Sequence, residues 1–470
     1  MNIFLKIGEL KLPARASLWY MMAAVIGKGV SFLATPFFTR LMSDEEYGIF
    51  TLYITILGIC SVICSAVYSG SGVYRALQVF SDKSDAITKA FLIATMGFSL
   101  IICTLLFAFS AFFNINSYLL IPISIQLICD GITGLFYSRA KFSYQYKSVC
   151  AMSIIGSVLP PVISAITLPF FNRASTRIYS LLSVSLIISL YAILKLWGSR
   201  KNTELVLIKY SFRQALPILP HSISSALSGQ ADKLIITALS GSVALAKYSV
   251  AHSLGAATAF LGAAIGSALN PWIVRRLEQG KTTEISELLL PVFSFLCAFT
   301  LMPIIFAPEI ISFLAPVQYS DALGAVLPIA LSSLPAFLIA TVTVGLVFLE
   351  KGGYTVTLSL ICAISSILLS LVFTMVFGYF GAGLALLVSQ GIGSIFGFVF
   401  LRICKLYEMF KVKKLAFEFI FTALVGALAL LCSDFLSIRV ALLIVPSIML
   451  LNLIFGYGRI IFEKKASHPV

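Results

Sequence analysis

The sequence predicts an all-α protein that crosses a membrane many times, and both its composition and its apolar runs lead to this fold class. Of its 470 residues, 59% are hydrophobic and 11% are charged, and the mean hydropathy is +1.02. A soluble domain has about 25% charged residues, because polar groups must cover much of its surface. A globule of this length could not bury so much apolar side chain. The composition therefore excludes a soluble enzyme, a nucleic-acid-binding domain and a disordered chain.

About fourteen apolar runs are long enough to cross a bilayer as helices, since a crossing takes about 20 residues. They cover residues 16–38, 47–68, 87–111, 118–138, 149–171, 178–197, 214–239, 243–270, 288–307, 322–349, 354–377, 380–402, 415–433 and 439–460. The first run lacks a small-residue cleavage site, so we expect a retained helix rather than a removed signal peptide. Gly241, Gly378 and Gly381 are expected to break the chain between consecutive spans.

The distribution of Lys and Arg tests this number of spans. With the N-terminus in the cytoplasm, 26 of the 33 basic residues fall on the cytoplasmic side. Four fall on the opposite side and three within spans, and these seven are Arg40, Arg173, Arg177, Arg439, Lys28, Lys233 and Lys247. One miscounted span would invert every later loop and remove the asymmetry that the positive-inside rule describes. Both termini are therefore predicted to be cytoplasmic, and the net charge of +14 reflects topology.

A long polar connection at residues 198–213 divides the spans into six before it and six after it, with two more at the end. Residues 41–50 and 242–251 resemble each other weakly at the equivalent place in each half. Two even-numbered halves are compatible with parallel lobes related by an axis along the membrane normal. The predicted domains are a six-helix bundle at residues 1–197, a linker at 198–213, a pseudo-symmetric second six-helix bundle at 214–402, and a segment with two additional spans at 403–470.

Five charged residues lie within predicted spans, where a Lys or Asp costs roughly 2.5–3.5 kcal/mol at the bilayer centre. They are Lys28, Asp130, Asp232, Lys233 and Lys247. Lys28 lies about 20 Å beyond Arg15 and about 18 Å before Arg40 along a helix, so it cannot reach either membrane face comfortably. Lys28 and Asp130 are expected either to line a hydrated cavity or to form a buried ion pair that orients helices. Lys247 is near the outer interface, where its side chain could extend towards water.

The first and seventh spans both contain residues that interrupt helices. Gly27, Gly29 and Pro36 lie in the first, and Pro217, Pro220 and Gly229 lie in the seventh. Interrupted helices at equivalent places in two halves point to a transport site, although Pro and Gly are frequent in membrane helices in any case. The sequence contains no nucleotide-binding, nucleophile or metalloprotease motif. We therefore expect a transporter without a cofactor rather than an enzyme.

Two stretches resemble a known family. Residues 36–50, PFFTRLMSDEEYGIF, resemble the first hairpin of bacterial polysaccharide biosynthesis proteins, the Wzx-type O-antigen flippases. Residues 217–233 and 247–250 resemble the equivalent segment of the second half in that family. These proteins belong to the multidrug/oligosaccharidyl-lipid/polysaccharide exporter superfamily, and the resemblance implies two six-helix bundles in a V-shaped arrangement.

The resemblance also implies a function. Family members move undecaprenyl-pyrophosphate-linked oligosaccharides from the cytoplasmic to the periplasmic leaflet of the bacterial inner membrane, by alternating access. Cations in a wet cavity would offset the desolvation of pyrophosphate. The residues expected to bind the cargo are Lys28, Arg40, Arg75, Lys233 and Lys247, and those expected to couple transport to H⁺ or Na⁺ are Asp130 and Asp232. Membrane lipids and the polysaccharide polymerase and chain-length machinery are the other partners that the resemblance implies.

Three alternatives remain open at the level of sequence. A multidrug/cation antiporter on the same fold should carry carboxylates at mid-depth of its first lobe, which Asp130 permits, but Lys28 favours an anionic cargo. A lipid II flippase of peptidoglycan synthesis should carry several cavity arginines, whereas this chain offers lysines. A membrane-embedded glycan polymerase would need a large outer loop, and the longest one here has about 14 residues.

Overall fold

A computed structural model describes residues 12–68, 70–109, 117–171, 173–197 and 205–450. Throughout these ranges the regular elements are helices, and eleven of them are long and apolar enough to cross a membrane. The predicted fold class, an all-α protein with many membrane spans, is therefore confirmed.

The helices of the first half of the chain are α1 (Leu12–Leu41), α2 (Asp44–Tyr68), α3 (Gly70–Val79), α4 (Ser84–Phe109), α5 (Ser117–Phe142), α6 (Tyr146–Thr167), α7 (Ala174–Trp197) and α8 (Leu205–Ala215). Those of the second half are α9 (Leu219–Glu278), α10 (Thr282–Ile305), α11 (Ala307–Leu314), α12 (Leu323–Phe348), α13 (Gly352–Ile403), α14 (Val412–Leu431) and α15 (Leu436–Leu442). Short 3₁₀ turns occupy Ser81–Lys83, Val317–Ala322 and Tyr407–Met409.

Two of the long helices are broken at Gly241 and Gly378, as the sequence predicts, whereas Gly381, the third predicted break, is helical because the turn is complete at Gly378. Gly241 in α9 has φ 81° and ψ −179°, and Gly378 in α13 has φ 60° and ψ −147°. Residues with a side chain are essentially excluded from this backbone region. Each break separates two of the predicted spans. When these two helices are divided at their breaks, the eleven long helices correspond to the first thirteen predicted spans. The last predicted span, 439–460, lies only partly within the described residues, so the number fourteen stays a prediction.

The chain forms two compact units, residues 1–230 and residues 231–470. Within the predicted linker 198–213, the part from Leu205 onwards is helical, and α8 packs against α4 and α2 of the first unit. Residues 198–204 lie outside the described part of the chain. The lobe boundaries read from the sequence stay a prediction, because the contacts divide the chain inside α9.

In the first unit, α5 is central and packs against α2, α4 and α7, while α1 packs against α6. Its core includes the buried side chains of Ile87, Phe91 and Leu135. Apolar side chains also cover the outside of α7, where Leu190 and Leu194 are 59% and 67% exposed. An apolar outer face suits contact with lipid, since hydrocarbon removes the need for a polar surface.

In the second unit, α12 is the most enclosed helix and packs against α13, α10 and α14. Gly255 of α9 lies against Ile329 of α12, so closely that a Cβ at Gly255 would stand 2.7 Å from the Ile329 side chain. The C-terminal helices also belong to this unit. Helix α14 packs on α10, and Arg439 of α15 forms a bidentate ion pair with Glu309 of α11.

Candidate functional site

Asp130 is the centre of a polar network inside the first unit. Its Oδ1 accepts a hydrogen bond from Gln126 Nε2 at 3.0 Å, and its Oδ2 accepts one from Ser61 Oγ at 3.5 Å. Gln126 Nε2 also donates to Ser185 Oγ at 2.6 Å. Gln126 and Asp130 are four residues apart on α5, so they share one face of the helix. Asp130 carries the single carboxyl group of this network, and the other side chains that join α2, α5 and α7 are neutral.

This network opens into a cavity of about 430 Å³ that lies entirely within the first unit. The cavity is lined by residues of α2, α5, α6 and α7, and its polar lining side chains are those of Gln126, Asp130, Thr133, Tyr137, Ser153, Ser157 and Ser185. A water molecule takes up about 30 Å³ in the liquid. The cavity therefore has room for a cation with several of its water molecules, and its lining offers oxygen ligands.

Lys28 lies on α1 beside the helix that forms one wall of this cavity. The neighbouring Gly27 packs on α6 so closely that a Cβ there would stand 2.8 Å from the Oγ of Ser157, a lining residue. The Lys28 side chain is exposed. Within the described residues no salt bridge joins Lys28 to Asp130, whose hydrogen-bond partners are Gln126 and Ser61. Of the two arrangements that the sequence left open, the ion pair is therefore not the one formed.

The two predicted arginines of the first unit are surface residues. Arg40, at the end of α1, is exposed, and its Nη1 donates a hydrogen bond to the Pro36 carbonyl oxygen at 3.0 Å. Arg75, on α3, is also exposed. Neither of them lines the Asp130 cavity.

Asp232 is a buried carboxyl group in the second unit. Its side chain is 1% exposed, and its Oδ2 accepts a hydrogen bond from Tyr248 Oη at 2.5 Å. Oδ1 is buried and has no hydrogen-bond partner in the described parts of the chain. Asp232 and Tyr248 lie on either side of Gly241, so their hydrogen bond ties the two halves of α9 together. Lys233 is half-buried next to Asp232.

Lys247 forms an ion pair near the start of the second half of α9. Its Nζ lies 2.8 Å from Oδ2 of Asp321, a residue of the 3₁₀ turn before α12. The Lys247 side chain is 20% exposed and that of Asp321 is 67% exposed. The pair therefore lies at a surface of the second unit, and the position of Lys247 near a membrane interface stays a prediction.

Comparison with known proteins identifies the family of this chain. A sequence model of the family described as Polysaccharide biosynthesis protein matches residues 14–277, more than half of the chain. The chain belongs to the polysaccharide biosynthesis protein family. Agl15 of Haloferax volcanii, a probable low-salt glycan biosynthesis flippase, is 20% identical over 390 residues, which cover 81% of this chain and 82% of that protein.

Solved structures show the same fold. The lipid II flippase MurJ in an inward closed conformation has a TM-score of 0.74 at 13% identity, covering 96% of this chain and 99% of MurJ. A multidrug resistance MATE family transporter of the MOP superfamily, in an inward-facing conformation, has a TM-score of 0.65 at 13% identity, covering 84% and 98%. The resemblance read from residues 36–50 and 217–233 is therefore confirmed. This polysaccharide biosynthesis protein has a probable flippase as a relative and shares its fold with a lipid II flippase and a MATE transporter.

Sequence reasoning missed several residues of this family member. Gln126 and Ser185 escaped notice because neutral polar side chains in a span carry no charge penalty that singles them out. Arg177 was counted as a loop residue, yet its guanidinium carbon lies 3.6 Å from the ring centroid of Phe38 and 3.9 Å from that of Phe50. The predicted topology contained the signal for Arg177, because it places the end of α1 and the starts of α2 and α7 on one membrane side.

Proposed function

We propose that this protein translocates an oligosaccharide linked to undecaprenyl pyrophosphate, such as an O-antigen repeat unit, from the cytoplasmic to the periplasmic leaflet of a bacterial inner membrane. Alternating access of two lobes is the proposed mechanism. The observation that carries the proposal is the family match over residues 14–277. The name of the relative from Haloferax volcanii, a glycan biosynthesis flippase, supports a glycan-bearing lipid as the cargo.

Lys28 provides the chemical argument for an anionic cargo. It lies in the middle of α1, its side chain is exposed, and within the described residues it forms no salt bridge. An ammonium group at that depth costs roughly 2.5–3.5 kcal/mol, which favours a position facing water or an anion rather than lipid. The pyrophosphate of the proposed cargo would offset this cost. The other residues proposed to contact pyrophosphate or sugar are Lys233, Arg40, Arg75 and Lys247.

Coupling to an ion gradient is proposed for the carboxyl groups of Asp130 and Asp232, one in each unit. Asp130 faces a polar cavity of about 430 Å³. Asp232 is buried with one oxygen that lacks a hydrogen bond in the described chain. A buried carboxyl group can be neutralised by a proton or by a metal cation, so H⁺ and Na⁺ are both candidates.

Two other functions on this fold have an observation in their favour. The Asp130 cavity and the likeness to the MATE transporter favour a multidrug/cation antiporter. The likeness to MurJ favours a lipid II flippase of peptidoglycan synthesis. Lys28 argues for an anionic cargo and therefore for one of the two flippases.

The deciding experiment is complementation in a strain that lacks its own O-antigen flippase. We expect the unaltered chain to restore surface polysaccharide, and we expect Lys28→Ala to lower display at least tenfold while lipid-linked repeat units accumulate. Lys28→Arg should retain most display because it keeps the charge. Lys209→Ala, at an exposed lysine of α8, is the matched control and should have no effect.

Each alternative gives a different result in the same strains. A cation antiporter would fail to restore the polysaccharide and would instead raise resistance to cationic dyes. A lipid II flippase would rescue growth when the native lipid II flippase is depleted. Normal display by the Lys28→Ala variant at normal protein levels would remove Lys28 from the cargo site.

A further inference from the structure

A second cavity, separate from the Asp130 cavity, lies at the basic end of the first unit. It holds about 320 Å³ and is formed by the last turns of α5 and α7 and by the start of α6. Its lining residues are Phe136, Arg139, Ala140, Ser143, Gln145, Ser148, Tyr191, Lys195 and Leu196. We refer to it as the Arg139–Lys195 cavity. The positive-inside rule places this end of the unit on the cytoplasmic side.

The lining side chains that carry a full charge are both basic, and one of them, Arg139, is paired with Asp85 outside the lining. Arg139 and Lys195 are its two ionisable groups with a full charge, and the lining contains no carboxylate. Arg139 Nη2 donates to Asp85 Oδ1 at 2.6 Å, which holds the guanidinium in place. A guanidinium carries five N–H donors, so further donors remain for a ligand. Ser143 and Ser148 add hydroxyl groups, and such a set of donors is suited to the oxygens of a phosphate.

The surface beside this cavity is apolar and exposed. Leu190, Leu194 and Trp197 on the outer face of α7 are 59%, 67% and 60% exposed. The Lys195 ammonium lies 5.7 Å from the ring centroid of Tyr191. Tyr and Trp mark the membrane–water interface in membrane proteins, where one part of the ring is in lipid and the other is wet. The cavity therefore lies where lipid headgroups meet acyl chains.

We propose that the Arg139–Lys195 cavity binds the phosphate of an anionic phospholipid, with the acyl chains lying along the outer face of α7. Basic pockets between membrane helices on the cytoplasmic side are suited to acidic headgroups. This site is distinct from the proposed cargo site, because neither Lys28 nor any other predicted cargo residue lines it. The shared chemistry, a phosphate held by two cations, also fits inorganic phosphate and the cargo's pyrophosphate, which the experiment separates.

The test is native mass spectrometry of the purified full chain with phosphatidylglycerol, with phosphatidylcholine as the zwitterionic reference and with no cargo present. We expect Lys195→Gln to weaken phosphatidylglycerol binding about fivefold, which corresponds to about 1 kcal/mol for one Lys near an acidic headgroup. Arg139→Gln should weaken it at least as much, and paired with Asp85→Asn it avoids leaving a lone carboxylate. Lys147→Gln, at an exposed lysine of the same end that does not line the cavity, is the control.

The outcomes separate the three phosphate sources. Unchanged phosphatidylglycerol binding in Lys195→Gln and in the paired variant overturns the proposal. Complete displacement by inorganic phosphate at equal concentration also overturns it, because the acyl chains would then contribute nothing. Loss of polysaccharide display in Lys195→Gln with unchanged phosphatidylglycerol binding would assign the cavity to the cargo. Because lipid binding is measured without cargo, failure of this proposal is independent of the proposed transport function.

Discussion

The carboxyl groups of Asp130, which is half-buried, and of Asp232, which is buried, have different surroundings. Asp130 is surrounded by neutral donors and adjoins a cavity that can hold water. Asp232 has a single side-chain donor, the hydroxyl group of Tyr248, and Lys233 beside it in the chain. A buried polar group without a partner costs about 1–3 kcal/mol. A residue that carries such a cost suits a site where a ligand supplies the missing interaction.

Asp232→Asn should therefore impair transport in the complementation strain while the protein still accumulates in the membrane. The amide keeps the shape of the side chain and removes the negative charge that an ion would need. Tyr248→Phe should have a smaller effect, because it deletes one hydrogen bond and leaves the charge. If Asp232 served only to neutralise Lys233, the double variant Asp232→Asn/Lys233→Gln would recover display, and that recovery would contradict a coupling role.

At the scale of elements, a glycine break and a close packing contact shape α13. Gly378 has a positive φ, and a Cβ on Gly381 would stand 1.9 Å from the carbonyl oxygen of Phe373. A side chain at Gly378 would meet backbone strain that costs on the order of 1–3 kcal/mol, whereas one at Gly381 would clash with a backbone atom. The break lets one continuous run of helical residues supply two membrane spans with almost no connecting loop.

Gly378→Ala should lower the stability of the detergent-solubilised protein by about 1–3 kcal/mol through backbone strain, and Gly381→Ala should lower it through the clash with the Phe373 carbonyl oxygen. Gly391→Ala is the matched control on the same helix, since a Cβ there meets nothing within 4 Å. Alanine has a higher helix propensity than glycine, so the control should be neutral or slightly stabilising. Equal stability of all three variants would refute the strain argument.

The C-terminal element α15 packs against α10 and α14 of the second unit, and an ion pair with α11 adds to this attachment. Arg439 is 4% exposed, and it donates to Glu309 at 2.7 and 2.6 Å and to the Ile305 carbonyl oxygen at 2.9 Å. These hydrogen bonds from Arg439 hold the pKa of the Glu309 carboxyl group below its usual value. The Glu309 side chain is 46% exposed, so solvent screens part of the attraction.

The stability that this pair contributes should depend on pH. Because the folded-state pKa of Glu309 is lowered, the contribution is present above the unfolded-state pKa of about 4.3 and is lost as the pH falls through the folded-state value. Arg439→Gln should cost about 1 kcal/mol at neutral pH. Thermal unfolding from acidic to neutral pH checks this, and the variant should lose less stability on acidification than the unaltered protein. Parallel pH profiles would contradict the assignment.

At the scale of the whole molecule, the arrangement of basic residues makes a prediction about topology. A reporter fused after Gly280 or after Lys405 should be active only if it is of the kind that works in the cytoplasm. Fusions after Ser43 and Gly241 should be active only as periplasmic reporters, because short connections with few basic residues are the ones translocated. A pair of phosphatase and fluorescent-protein fusions at each site measures this, and one site with the opposite result would change the number of spans before it.

The spans could be predicted closely because a bilayer imposes a length and a composition on every crossing helix. The breaks at Gly241 and Gly378 could also be predicted, since glycine is the residue that tolerates a positive φ. The Asp130 network could be predicted only in part. Asp130 could be singled out because a charged group in lipid is costly, whereas the neutral Gln126 and Ser185 could not.

The sequence alone determined the helical membrane fold, the positions of the breaks and which charged groups lie deep in the membrane. Hydropathy, chain stiffness and the cost of burying charge decide these features, and all three act locally along the chain. The folded structure alone decided which partners those charges have. It paired Lys247 with Asp321, left Asp130 to Gln126 and Ser61, and placed Arg177 against Phe38. The reason is physical: partners distant in sequence meet only when helices pack, and packing depends on all side chains of the facing helices together.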